Sequence, residues 1–381
     1  MFVIDRYLLR QFVQTFAICF LSLTGLYIVL DLFTNIDNFL RSGHKSGSVL
    51  GFIAQFYWYH SIWFFNRISG LLTLVSAMFT VAWIQRNNEM TALMAAGVSR
   101  MRVLVPIVIA VGGVSLLSVA NRELVIPRYH AEMSRRPQDP GGDMPQGVSS
   151  CYDNETDVRL GGKHSFADQM RIEEPSFLMP PALADYGKQV VADNAYYEPA
   201  RGGHPTGYRF KGVREPKNLD TRPSLPQNGK PVLITPRDAP QWLEPGQCFI
   251  RSEVPFELLT GDDGAQAFKE LSSTKQLVAA LHNPSLGYGA DVCVAVHLRL
   301  VQPLFDMTLL FLGLPLVVTR ESRNVFLAMG MSMAITVAFT LTAMMLQKMG
   351  ENEMVPAALA AWAPLMIFVP LAAGMTESLR K

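Results

Sequence analysis

Three membrane-length apolar runs before about residue 120 and three more after about residue 300 bracket a long stretch rich in proline and charge. A hydrocarbon core about 30 Å thick takes roughly 20 helical residues, so each run is long enough to cross it. The layout predicts a membrane α-helical chain of six transmembrane helices, grouped 3+3, with an all-β domain inserted at its midpoint. At 381 residues and 49 % apolar, with a mean hydropathy of only +0.19, the chain is too apolar for one soluble domain and too polar to lie wholly in lipid.

The spans read as Phe12 to Phe33, Phe52 to Ile84, Val103 to Ala120, about Leu300 to Val318, Val325 to Leu346, and Val355 to about Ala373. The second exceeds one crossing and carries Asn66 and Arg67. Arg67 lies roughly 24 Å from Trp83 along the helix, close enough to the far surface to snorkel to headgroups beside the aromatic cluster of Tyr57, Trp58, Tyr59 and Trp63. Lys and Arg in the short connections divide nine to three. Arg6, Arg10, Arg86, Arg100, Arg102, Arg320, Arg323, Arg380 and Lys381 oppose Arg41, Lys45 and Lys348. The positive-inside rule places the first set, and both termini, in the cytoplasm and the insert outside.

On this reading the domains are 1–120 with a cytoplasmic loop at 85–102, an insert at 121–298, and 299–381. Of the 24 prolines, 18 fall between residues 121 and 300, which disfavours long helices there. Strands are expected at Gln189 to Tyr197, Gly207 to Val213, Pro231 to Thr235 and Cys248 to Leu258, and long loops at Arg135 to Gly147 and Glu215 to Lys230. Residues 272–282 read as one short amphipathic helix leading back to the membrane. Cys151 and Cys248 share the insert, where a bridge and two free thiols are both open.

The formal charge of +1 gives no electrostatic reason to expect a nucleic-acid partner. No Walker A loop, zinc-protease helix or nucleophile elbow is present, and the seven histidines are scattered, so neither a metal site nor a cofactor site is expected. Between the second and third spans, residues 85–100 form a short helix candidate with Asn88 as N-cap, Gly97 as stop, and Met90, Leu93 and Met94 on one face. This is either an amphipathic turn on the headgroups or a coupling helix for a cytoplasmic ATPase, with Glu89 as a charged contact and the methionines as adaptable ones.

The run NNEMTALMAAGVS in this loop closely resembles the LptF/LptG permease family, the transmembrane subunits of the exporter that extracts lipopolysaccharide from the inner membrane. RELVIPRYH, VVADNAYYEPARGGHPTGYRFKG, LSSTKQLVAAL, HLRLVQPLFDMTLLFLGLPLVV and AAWAPLMIF extend the resemblance over nearly the whole chain. It implies two six-span subunits around a lipid-sized cavity, each with a periplasmic β-jellyroll that meets a jellyroll bridge protein. A dimeric cytoplasmic ABC ATPase would bind the ATP and magnesium, leaving no cofactor in this chain. It also implies that Arg86, Glu89, Met90, Leu93 and Met94 touch that ATPase. Arg41, His44 and Lys45 would then lie where the family meets lipid phosphates, beside a lateral gate formed by spans one and five; simple anchoring of a helix end is the alternative.

Asp306 is the odd residue within a span. A carboxylate at that depth costs roughly 2.5 to 3.5 kcal/mol on insertion scales, so it is expected to face a cavity or a basic partner, Arg299 or Arg67. The rival functional class is a membrane-anchored sensor or scaffold whose outer β domain binds a ligand.

Overall fold

The computed structural model describes residues 3–45, 48–135, 137, 139, 144–200, 204–227, 229–261, 264–287, 289–319 and 325–377. The chain divides into two compact units, 1–133 together with 289–381, and 134–288.

The first unit begins with α1 (Val3–Lys45), α2 (Val49–Arg86), α3 (Glu89–Ala95), α4 (Arg100–Ala120) and the single turn α5 (His130–Met133). The second unit carries α6 (Gly264–Leu271) and α7 (Thr274–Leu281); the first resumes with α8 (Ala290–Thr319), α9 (Val325–Glu351) and α10 (Ala357–Glu377). Six of these helices are long and apolar enough to cross a membrane. Hydroxyl caps start two of them: Ser48 accepts from the Gly51 amide at the head of α2, and Ser99 from the Arg102 amide at the head of α4.

Beyond Ala120 the helix does not stop. It continues as a π turn over Asn121–Val125 and a 3-10 turn over Ile126–Tyr129, with Pro127 at a first-turn position where its missing N–H goes unmissed. Residues 121–133 therefore stay with the membrane unit, as do 289–298, and the insert contracts from the expected 121–298 to 134–288.

The core of the membrane unit lies along α8. Val301, Leu310, Leu312 and Val317 are buried against Leu74 and Val81 of α2, Ile107 and Val111 of α4, Phe339 of α9 and Ala361 of α10. Gly313 permits the close approach: a Cβ there would meet the Leu74 side chain and the Ser332 hydroxyl at 2.6 Å. In the most apolar stretch of α8, 67 % of the residues are buried, against 6 % in α1 and 17 % in α9. Each of those two helices keeps a broad exposed apolar face, with Ile18, Leu21 and Phe33 on α1 and Leu327, Val337 and Leu341 on α9.

Among the described residues the second unit holds one antiparallel sheet of eleven strands: β1 (Gln146–Gly147), β2 (Cys151–Asp153), β3 (Val158–Leu160), β4 (His164–Phe166), β5 (Arg171–Glu173), β6 (Ser176–Leu178), β7 (Gln189–Glu198), β8 (Gly207–Glu215), β9 (Leu225–Gln227), β10 (Lys230–Ile234) and β11 (Gln247–Arg251). Their order is β1-β4-β5-β7-β8-β11-β10-β9, with β2, β3 and β6 branching from β7. At the β9 end, Pro226 sits opposite Pro231. Phe177, Tyr208, Phe210, Cys248 and Ile250 fill the interior, with the Phe177 ring edge-on to Phe210 at 4.8 Å.

Of the expected strands, β7 and β8 alternate in burial over part of their length, whereas β10 is a short run buried at Val232, Leu233 and Ile234. The expected strand from Cys248 to Leu258 ends at Arg251, because Pro255 has no N–H for a ladder and the chain turns into a 3-10 helix over Phe256–Leu259. The expected loop at 215–230 contains β9 and a 3-10 turn at Leu219–Thr221. The return helix is α7, started by a capping box in which Ser273 and Gln276 each bond the other's backbone. All four cysteines are free thiols. Burial pushes the Cys248 thiol well up from its ordinary value, and that of Cys151 upward.

Candidate functional site

The connection between α2 and α4 is built as a small platform. Asn88 enters α3 in a left-handed conformation (φ 58°) and its side chain makes no cap bond, so the expected Asn88 cap is a bend rather than a side-chain cap. The exit is more elaborate. The Gly97 amide donates to Met94 O and the Val98 amide to Leu93 O, with Gly97 at φ 82°, a Schellman ending in which glycine takes the left-handed residue.

Met90, Leu93 and Met94 do share a face, and it points inward. Met90 is 4 % exposed, packed with Leu8 of α1, Ile84 of α2 and Val103 of α4, while Leu93 and Met94 lean on the same cluster. The expectation of outward-facing methionines is corrected for Met90: the nearest apolar surface belongs to this chain, and burial against it outweighs exposure. The outward face carries Arg86, Thr91, Ala92 and Ala95, with Glu89 at its margin.

Two bonds that sequence alone does not suggest tie this platform to α1. Tyr7 Oη donates to Glu89 Oε2 at 2.9 Å and Oε1 at 3.2 Å, and Arg102 donates to Asp5 Oδ2 at 2.8 Å. Arg100 Nε reaches the Met94 sulfur at 3.3 Å, and Gln85 donates to Val317 O of α8 at 2.9 Å.

Deeper in the bundle, Asp306 is 3 % exposed. Ser115 of α4 donates to its Oδ2 at 2.8 Å and Gln302 to its Oδ1 at 3.3 Å. Its hydrogen-bond donors are thus neutral groups rather than the expected Arg299 or Arg67, and the basic side chain whose charge acts on it is Arg122, which also donates to the Arg299 carbonyl at 3.0 Å. Gly70 of α2 makes room, since a Cβ there would lie 2.5 Å from Asp306 Oδ1. The polar seam continues along α2 and α4 through Ser69 with Ser118 (2.9 Å), Ser118 to Asn66 (3.2 Å), and Asn121 to Ile62 O (3.0 Å). In lipid such satisfied pairs replace the hydrophobic effect as the glue between helices.

A second intramembrane carboxylate, Asp31, went unread in the sequence although it stands inside the first apolar run. It accepts from Tyr57 Oη of α2 at 2.8 Å and from the Asn35 side chain at 3.2 Å, and Asn35 itself breaks helical geometry (φ −114°, ψ 15°). Tyr57 is accordingly buried between α1 and α2, packed on Phe39 and Phe56, rather than placed with the exposed Trp58 at an interface. Arg41 is exposed near the end of α1; the side chains of His44 and Lys45 lie outside the described residues, as do Arg320, Arg323, Arg380 and Lys381. Among the described residues no group of His, Cys, Asp or Glu is placed to hold a metal ion.

A comparison with protein families finds that the model for the lipopolysaccharide export system permease LptF/LptG matches residues 6–138 and 247–377. The match takes in all six long helices, the α3 platform, β11 and α7, and omits most of the sheet, including the 190–212 stretch read as similar to the family. A comparison with curated proteins finds no match.

Proposed function

This chain belongs to the lipopolysaccharide export permease LptF/LptG family, and on that premise we propose that it is the membrane half of an ATP-driven exporter. In this reading it draws lipopolysaccharide or a similar anionic lipid from the inner membrane, and a separate cytoplasmic ABC ATPase dimer supplies the energy. It works beside a second permease subunit of the same kind and delivers to a periplasmic jellyroll bridge protein through its own β domain.

The observation that carries this is the α3 platform. A seven-residue helix is anchored by Met90 from beneath and presents Arg86, Thr91, Ala92 and Ala95 outward. A groove on an ATPase gains little from an isolated loop, which must be ordered at binding; this one is already ordered by its own footing. The charge asymmetry of the short connections supports placing α3 and both termini in the cytoplasm and the β domain in the periplasm. The uncovered faces of α1 and α9 suit lipid and a second subunit. Arg41, with His44 and Lys45 next in sequence, supplies basic groups for lipid phosphates.

Purification of the chain from its native membrane tests this. An ATPase with a Walker A loop is expected to accompany it, and changing Arg86 and Glu89 together to Ala should cut that association by at least about tenfold. A chain that emerges with no ATPase, or whose α3 residues label from the periplasmic side, would instead favour a sensor or scaffold.

A further inference from the structure

We propose that Tyr7 and Asp5 are positioning residues that fasten the start of α1 to the α3 platform, making α1 the rod that carries α3 displacement across the membrane. The inference rests on the exporter reading above.

Three kinds of contact converge within one turn of α1. Tyr7 forks to both oxygens of Glu89, at 2.9 and 3.2 Å. Asp5 pairs with Arg102 at 2.8 Å. Leu8, 1 % exposed, and Ile4 pack with Met90, Ile84 and Val103. Positions 4, 7 and 8 share one helical face, so a single rotation of α1 presents all of them to the platform. The bonded partners bracket the loop, Glu89 opening α3 and Arg102 standing in the first turn of α4. A push on α3 is therefore shared with the start of α1 through these contacts, besides passing along the chain into α2 and α4.

Farther along, α1 meets α2 through ring contacts: Phe16 and Phe20 against Phe65, and Tyr27 stacked on Phe64 at 4.6 Å. Such contacts have weak directionality and permit small sliding. The next directional hold is Asp31 to Tyr57, 24 residues beyond Tyr7, or roughly 36 Å along a helix. An α-helix pinned by polar bonds near both ends and greased between them transmits an axial or rocking displacement from one pin to the other. It delivers that displacement beside the bend at Asn35. The alternative is that motion passes only through the covalent continuations of α3 into α2 and α4.

The test uses the whole exporter in vesicles containing lipopolysaccharide and reads lipid delivered per ATP hydrolysed. Tyr7→Phe keeps the ring and removes the bond; the ratio is expected to fall about fivefold, the lower end of typical coupling between sites. Asp5→Arg and Arg102→Asp should each lower it by a smaller factor, because an exposed ion pair is weak, and the double exchange should restore it. An unchanged ratio in Tyr7→Phe, or no rescue in the double exchange, overturns the proposal. So does loss of the ATPase from the Tyr7→Phe complex, which would make Tyr7 a docking residue. Failure of the parent reading is distinguishable, since then the unaltered chain retains no ATPase at all.

Discussion

The two units of this chain are held together by different physics. In the sheet domain, aromatic side chains leave water: Phe177, Tyr208 and Phe210 are wholly buried and touch one another edge to face. In the helical unit, lipid is as apolar as the side chains, so transfer contributes little; close approach at Gly70 and Gly313 and satisfied polar groups at Asp306 and Asp31 do the joining. The same apolar residue thus has a different worth in each unit, and single substitutions can measure the difference.

The largest effect is expected from Phe177→Ala, which should destabilise the sheet domain by about 4 kcal/mol through lost transfer and a cavity among aromatic neighbours. Chemical denaturation followed by near-ultraviolet circular dichroism reads it, and a loss below about 1 kcal/mol would count against a water-driven core. Gly70→Val forces α2 away from Asp306 and should cost about 2 to 3 kcal/mol in the helical unit, seen as a lower unfolding temperature in detergent. Tyr57→Phe removes a hydroxyl from a carboxylate and should cost about 1.5 kcal/mol, measured in the same way.

A pH series sharpens the contrast. Burial holds the Cys248 thiol well above its ordinary 9.0 and the Tyr208 phenol well above 10.0. Both groups keep their proton longer in the folded sheet than in the unfolded chain. Their contribution is fully present below pH 9 and drains away as pH rises, by up to about 1.4 kcal/mol per unit for each titrating group. Cys151, whose thiol burial also raises, titrates from the same ordinary value, so replacing Cys151 and Cys248 together by Ala should delay the onset of alkaline loss from about pH 9 toward the tyrosine range near 10. An unchanged onset in that double variant would mean the thiols are not what titrates. The smallest effect is reserved for Ile18→Ala on the uncovered face of α1, 65 % exposed. It exchanges lipid contact for lipid contact and should alter the isolated chain's stability by less than about 0.5 kcal/mol. A larger loss would show that this face is covered after all.

Much of this architecture was legible because its signals are long. Long apolar runs of about twenty residues announce a crossing, and the alternation in β7 and β8 announces a strand. The short strands from β2 to β6, three residues each, fall below any alternation that can be read; β5 and β6 are paired along β7, and β2, β3 and β4 are built outward from those two. The platform was legible as a helix because Met90, Leu93 and Met94 recur at helical spacing, but periodicity identifies a face without saying what lies against it. Tyr7 and Asp5 stand 82 and 97 residues from Glu89 and Arg102, and nothing local marks either as a partner. Asp31 is a plainer omission. The rule that drew attention to Asp306, a carboxylate inside an apolar run, applies to it equally.

The proline on the outermost strand, β9, has a consequence for how copies of this domain meet. Pro226, in the middle of the outermost strand, offers no amide hydrogen. Newcomers arriving at that margin find carbonyls with too few donors beside them, and a strand three residues long gives scant template for another. Crowded side by side, these domains are discouraged from knitting into a shared sheet along that border.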